Sequence, residues 1–214
     1  DAANHARLGG ANLYDAVTRS HIAPAAGASA VTRVNTRRGY GARTNGTTAY
    51  WDIPAPTTAN KNAYLWVGMV HTSGAIVLRD DTSSGGTIPI WQSGGQFRYR
   101  NGATDYTAAG TFSDNTEYAI LATAGASYGQ LWVDGNLLVN DSSVAFIEIT
   151  SPFKLSRNGT AGPNYDTTTV LLAIFEKTIA GYAQRLSRNP WQLFAPLRRY
   201  VRGFEPPAAA GITG

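Results

Sequence analysis

Short apolar runs separated by turn residues recur along this chain, and the clearest of them lies past its middle. In Gln130-Leu131-Trp132-Val133-Asp134-Gly135-Asn136-Leu137-Leu138-Val139, two apolar runs flank Asp-Gly. That dipeptide tolerates the positive φ angles of a two-residue turn, so the segment predicts a β-hairpin. Gln96 to Ala108 predicts a second hairpin. There Phe97 and Tyr99 alternate with Arg98 and Arg100 before Asn101-Gly102 turns the chain. Ala63-Tyr64-Leu65-Trp66-Val67-Gly68-Met69-Val70 is apolar almost throughout and predicts a central strand buried on both faces. Ala75–Leu78, Thr87–Trp91, Tyr118–Ala122, Val144–Ile149, Phe153–Leu155 and Thr168–Phe175 read as further strands. Pro89 lacks an amide donor and argues for an edge position for Thr87–Trp91. Turn signals come about every ten residues, the spacing of a sandwich or barrel.

The pattern changes at Lys177. Thr178 suits an N-cap for a helix over Ile179–Ser187, on which Ile179, Tyr182, Ala183 and Leu186 form one apolar face. Asn189-Pro190 ends that helix and can open another turn, because proline fits a first helical position. Pro206 to Gly211 reads as a linker or frayed end. The expected organisation is a sandwich over residues 1–176 and a helix with a Trp- and Arg-containing tail over 177–204. That tail packs on the sandwich or docks a partner, and 205–214 is flexible.

Composition supports an all-β chain of many turns. Hydrophobic residues make up 43%, enough for a core, while charged residues reach only 15%, against about 25% in an average soluble domain. The chain has 0 cysteines, which excludes disulfides, thiolate metal sites and a Cys nucleophile. No apolar stretch is long enough to cross a membrane as a helix, and no membrane partner is expected. Met69 is the only methionine and Asp1 opens the sequence, which suggests a piece of a longer chain. The net charge of +4 is uneven. Residues 177–204 hold Lys177, Arg185, Arg188, Arg198, Arg199 and Arg202 with no acid. A basic end of this kind reads as a solvated or protein-docking tail in preference to a nucleic-acid site, because its arginines are scattered.

The order of these elements resembles the laminin-G-like group of the concanavalin A-like lectin/glucanase superfamily. Asn12-Leu13-Tyr14-Asp15 is similar to that family's opening segment, and Tyr40 to Ile53 to its Gly-x-x-Phe-Asp-Gly-x-x-Asp-Tyr-Val stretch. Tyr64–Val70 corresponds to the next central strand, and Leu131–Leu137 to the Leu-Tyr-Val-Asp-Gly hairpin. Val170–Leu186 corresponds to the closing strand and helix. The resemblance spans roughly residues 10–190. It implies an all-β, two-sheet antiparallel sandwich, the concanavalin A-like jelly roll, with a short C-terminal helix. Asn45-Gly46 stands where the family has Asp-Gly, and Ala173-Ile174-Phe175-Glu176 where it has an Asp-Glu pair, so no carboxylate role carries over there. Leu186 to Arg199 also resembles an ending found in phage and prophage virion proteins. It implies a non-catalytic virion structural, decoration or tail-fibre module located in the particle, whose partners are other virion proteins or further copies of itself.

Glycoside hydrolases place paired carboxylates across one bond, whereas Glu148 stands alone on its run and Asp80-Asp81 are adjacent, pointing to opposite faces in a strand. A hydrolase is therefore the remote alternative, and no catalytic residue is named. His5, His21 and His71 are far apart, and His71 reads as a structural residue. No cofactor or metal ligand is assigned. Calcium stays open through Asp80, Asp81, Asp134, Asp141 or Asp166, which lack the alternation of a calcium loop. A carbohydrate-binding module recognising host surface glycans is the alternative function. Trp66 and Trp132 read as core, and Tyr50, Trp51, Trp91 and Tyr99 are the candidate glycan-facing aromatics, one of each adjacent pair facing out. Trp191, Leu193, Phe194, Arg198 and Arg199 are the candidate partner-docking residues.

Overall fold

The computed structural model describes residues 13–15, 20–25, 30–53, 63–80, 88–101, 104–125, 128–142, 152–158, 162–175 and 179–194. They form two stacked antiparallel sheets, a two-stranded ribbon and one short helix. The ribbon pairs β1 (Leu13–Asp15) with β2 (Ser20–Ile22). One sheet has seven strands. In spatial order they are β13 (Asn136–Asp141), β12 (Tyr128–Val133), β11 (Glu117–Gly125), β6 (Ala63–Val70), β15 (Thr167–Phe175), β4 (Gly39–Arg43) and β3 (Thr32–Thr36). The other sheet has six strands: β10 (Thr104–Thr107), β9 (Gln96–Asn101), β8 (Ile88–Ser93), β7 (Ile76–Asp80), β14 (Phe153–Leu155) and β5 (Trp51–Ile53).

Alternation builds the core between the sheets. Tyr64, Trp66, Ile120, Ala122, Leu131 and Val133 face inward from the seven-stranded sheet. Trp51, Ile53, Leu78, Ile90, Phe97, Tyr99, Phe153 and Leu155 meet them from the other. The Trp66 indole donates to Thr169 Oγ1 at 2.9 Å, so its one polar atom is satisfied inside the core. The Asp134-Gly135 turn closes the β12–β13 hairpin with φ of 48° and 85°. Asp134 Oδ1 also accepts from the Ala119 amide and from Arg38, which fixes the hairpin end to the neighbouring strand.

A second apolar layer covers the far side of the seven-stranded sheet. Leu65, Leu121, Trp132, Leu171, Ala173 and Phe175 meet Ile179, Ala183, Leu186 and Leu193 there. These last residues come from α1 (Ala180–Arg188), its flank, and a 3-10 turn at Pro190–Phe194. Burial on both faces explains why β6 reads as unbroken apolar sequence. Glu117 lies on this far side by alternation with Leu121. The β3–β4 turn reaches it, with the Arg38 amide on Glu117 Oε2 at 3.2 Å and the Arg38 guanidinium 3.5 Å from Oε1.

Four expectations change. Tyr182, expected on the apolar face of the helix, is exposed on its solvent side, because the buried stripe of α1 runs through Ile179, Ala183 and Leu186. The strand holding Pro89 is internal, between β7 and β9. Its pairing to β9 skips between Ile88 and Trp91, and this irregularity takes up the missing amide donor. The residue at the N-cap of α1 is Ile179, with no side-chain cap, in place of Thr178. Trp132 packs under the helix and is half-buried; it does not enter the inter-sheet core. The expected strand Val144–Ile149, with Glu148, and residues Asp81, Thr178, Arg198 and Arg199 lie outside the described residues.

Candidate functional site

The outward face of the six-stranded sheet gathers the chain's chemistry. Directly paired residues on neighbouring strands share a face. Asp52 pairs with Lys154, and Lys154 with Arg79. On the other half, Ile88 pairs with Arg100, and Arg100 with Asp105. A second row runs from Ile76 to Trp91 to Arg98. Each of these residues sits beside an inward-pointing core residue, such as Leu78 beside Arg79 or Phe97 and Tyr99 around Arg98. The apolar alternation that makes the core therefore also sorts the cations outward.

Of the described Lys and Arg between positions 51 and 176, Arg79, Arg98, Arg100 and Lys154 lie on this face by their pairing, and Arg157 reaches Tyr50 beside Lys154. Two described carboxylates accompany them, one toward each edge. Asp105 binds Arg100 through both oxygens, at 2.5 and 2.8 Å. Asp52 binds the Lys154 ammonium at 2.6 Å. The hydrogen bonds from Arg100 hold the Asp105 carboxyl below the usual carboxylate range, and the charges of Arg100 and Arg98 add to this against a burial effect of opposite sign.

Between those edges lies a concavity of roughly 240 Å³, lined by Gly74, Ile76, Arg79, Ile88, Trp91, Ser93, Arg100 and Asn158. Trp91 is half-buried, with the guanidinium carbons of Arg100 and Arg98 at 4.8 and 5.5 Å from its ring centroid. Arg79 donates to Asn158 Oδ1. Two buried donors of the lining, Trp91 Nε1 and Arg79 Nε, and that of the adjacent Arg98, Nε, have no hydrogen-bond partner among the described residues. Toward the β5 edge, Tyr50 lies under Arg157 at 4.2 Å and near the Lys154 ammonium at 5.8 Å.

The structure thus places two of the four candidate aromatics, Tyr50 and Trp91, on the outer side of this sheet. It corrects the other two. Trp51 is 0% exposed and Tyr99 is 4% exposed, both within the inter-sheet core, because alternation turns them opposite to Asp52 and to Arg98 and Arg100. Burial, together with Tyr106 stacked at 5.8 Å, pushes the Tyr99 phenol far above its ordinary range. The sequence reading passed over the arginines. The signal was present in the alternation of Arg98 and Arg100 with Phe97 and Tyr99.

The described C-terminal candidates, Trp191, Leu193 and Phe194, fall on the other side of the molecule. Leu193 packs into the layer beneath α1, while Phe194 remains 47% exposed with Trp191 beside it at 6.0 Å. Tyr182 on α1 is 65% exposed. The aspartates considered for calcium are dispersed. Asp134 serves its turn, Asp166 is held bidentately by Arg43 at 2.9 and 2.8 Å, and Asp141 ends β13. Among the described residues no three His, Asp or Glu side chains gather as a metal group. His71 bonds Asn115 Oδ1 at 2.6 Å and Thr168 Oγ1 at 2.7 Å, both structural contacts within the seven-stranded sheet and its loop.

No protein-family model matches the sequence, and no curated protein matches it either. Solved structures do match in shape. A sialidase of Trypanosoma rangeli, in complex with 2,3-difluoro-KDN, superposes with a TM-score of 0.60 at 16% identity, over 82% of this chain and 30% of that one. Domain 4 of AbnA, an extracellular GH43 arabinanase of Geobacillus stearothermophilus in complex with arabinotriose, gives 0.55 at 10% identity, over 73% of this chain and 81% of that domain. Domains LG4-5 of the mouse laminin α1 chain give 0.49 at 11% identity, over 60% and 40%, a likeness too slight to weigh. The chain spans about 30% of the length of the sialidase it matches. The fold is that of the concanavalin A-like lectins and glucanases, a two-sheet antiparallel sandwich with one short C-terminal helix. At these identities the likeness concerns the fold alone.

Proposed function

We propose that this chain is a non-catalytic carbohydrate-binding module whose recognition surface is the outward face of the six-stranded sheet. The observation that carries the reading is the concavity around Trp91, where an indole, guanidinium groups and unpartnered N–H donors converge over a floor of Ile76 and Ile88. Sugar rings have apolar C–H faces and hydroxyl rims, so an aromatic face edged by donors matches both. At roughly 240 Å³ the space is smaller than enclosed small-molecule sites of about 300–1,000 Å³ and suits one unit of a longer chain. The AbnA domain, named as a complex with arabinotriose, supports the reading as an instance of saccharide binding on a similar fold. The two described carboxylates of this face are not placed for hydrolysis. Asp52 and Asp105 sit on opposite edge strands, about 24 Å apart at five strand spacings, whereas glycosidases need about 5–9.5 Å. A glycan array followed by calorimetry tests the reading. Binding that is lost in Trp91→Ala is expected; no binding at millimolar ligand refutes it.

A second reading, compatible with the first, is a structural module of a phage particle, in a head, tail or fibre, acting through contacts with other virion proteins or copies of itself. Its support is the Leu186–Arg199 ending together with the exposed Tyr182 and Phe194. Labelling the domain and imaging particles by electron microscopy tests it, and virions without label count against it.

A further inference from the structure

We propose that the saccharide bound on this face is acidic, carrying uronate or sulfate groups that are received by Arg79 and Arg98. The inference rests on the carbohydrate-binding reading and adds the ligand's charge.

Part of the positive charge on this face is unmatched among the described residues. The described cations are neutralised toward both edges of the sheet and not in its middle. Lys154 has Asp52 and Arg100 has Asp105. Arg79 has the uncharged amide of Asn158, and Arg98 leans on the indole of Trp91. Arg98 also sits close enough to Asp105 to help depress its carboxyl, so one carboxylate serves two guanidinium groups. Gathering like charges on a sheet face is destabilising unless an anion answers them.

The donor inventory points the same way. Nε of Arg79, Nε of Arg98 and Nε1 of Trp91 are buried and have no partner among the described residues. All three can only donate. A neutral hydroxyl accepts from at most two such donors, whereas a carboxylate or sulfate accepts from more and forms the stronger, charge-assisted bonds. The flanking apolar floor and the indole provide for the sugar ring itself. This face is basic even though the chain between positions 51 and 176 holds more acids than bases, so its charge reflects how the fold sorts side chains.

Calorimetry against four probes tests the proposal: a neutral trisaccharide, a triuronide, a sulfated trisaccharide, and a single-stranded oligonucleotide of comparable charge. At least one acidic saccharide is expected to bind about tenfold or more tighter than the neutral one, with affinity falling as salt is added. The uronide and sulfate arms distinguish the two acid types. Arg79→Gln and Arg98→Gln are each expected to weaken the acidic ligand about tenfold to a hundredfold and the neutral one by less, so that the preference for the acidic saccharide narrows. Asp105→Asn works in the opposite direction. It releases Arg100 and is expected to tighten acidic binding several-fold, a gain that misfolding cannot mimic. Equal or better binding of the neutral sugar overturns the acidic assignment and leaves the carbohydrate reading standing. Equal binding of the oligonucleotide overturns it as non-specific polyanion attraction. Failure of all the saccharides overturns both readings.

Discussion

Leu121→Ala probes whether α1 belongs to the fold or merely trails from it. Leu121 is 0% exposed and lies on the far side of β11, in one cluster with Leu65, Ala183 and Leu186. Truncation removes its isobutyl contacts and leaves a void roofed by α1. The sheet beneath is hydrogen-bonded on both edges of β11, so the site collapses little. Leu→Ala costs about 2.7–5 kcal/mol in buried sites, and a rigid floor places this one at about 3–4 kcal/mol. For a domain of this size each kcal/mol moves Tm by about 2–4 °C, giving a fall of about 6–16 °C. Scanning calorimetry, with urea unfolding for ΔG, measures it. Tyr182→Ala is the control. At 65% exposure it lies on the solvent side of the same helix and is expected to change stability by less than about 0.5 kcal/mol. The double variant Leu121→Ala/Leu186→Ala adds a sharper criterion. Residues in one cluster couple by about 0.5 kcal/mol or more, so the double loss falls short of the sum. A Leu121→Ala shift no larger than that of Tyr182→Ala, or strict additivity with Leu186→Ala, would refute the packing.

Alkaline titration tests the inner face. An ordinary tyrosine ionises near pH 10, and the unfolded chain does so, while burial keeps the Tyr99 phenol protonated in the fold. Above pH 10 the folded state therefore binds the extra proton, and its stability falls by about 1.4 kcal/mol per pH unit from this group. Tyr99→Phe should flatten that slope in pH-dependent unfolding. Gly135→Ala should destabilise by about 1 kcal/mol or more in urea unfolding. The glycine holds φ of 85°, and a Cβ there would stand 2.9 Å from Arg188 Cβ. Trp66→Phe keeps an aromatic ring but opens space in the core and leaves Thr169 Oγ1 without its indole donor, and a loss of about 1–3 kcal/mol or more is expected by the same assay.

The sandwich was readable because its two periodicities are clean. Asp134-Gly135 between apolar runs, the unbroken Ala63–Val70, and the switch at Lys177 to the helical spacing of Ile179, Ala183 and Leu186 each correspond to an observed element, whereas Tyr182, expected on the same apolar face, is turned to solvent. Pro89 misled because a single residue cannot reveal that an internal strand breaks its register there. Trp51 and Tyr99 misled for a different reason. Alternation says that one of two neighbours faces out, but only the partner sheet decides which. The site was hidden by summation over the sequence. Net charge over a segment adds residues from both faces and from both sheets, so Asp114, Glu117, Asp134 and Asp166 mask the arginines. Glu117 and Asp134 meet the β3–β4 turn, Asp166 pairs with Arg43, and Asp114 accepts from Gln92. None of these contacts has a local sequence signature, since each spans more than ten residues.

The central claim, that the outward face of the six-stranded sheet recognises saccharide, is tested most directly by titrating isotope-labelled protein with an acidic trisaccharide and following amide, indole and arginine Nε–H resonances. The account predicts saturable shifts at the Trp91 indole, at Arg79 and Arg98 Nε–H, and along Ile76–Asp80 and Ile88–Asn101, with α1 unmoved. Shifts centred on Tyr182, Trp191 and Phe194, or none at saturating ligand, would contradict it.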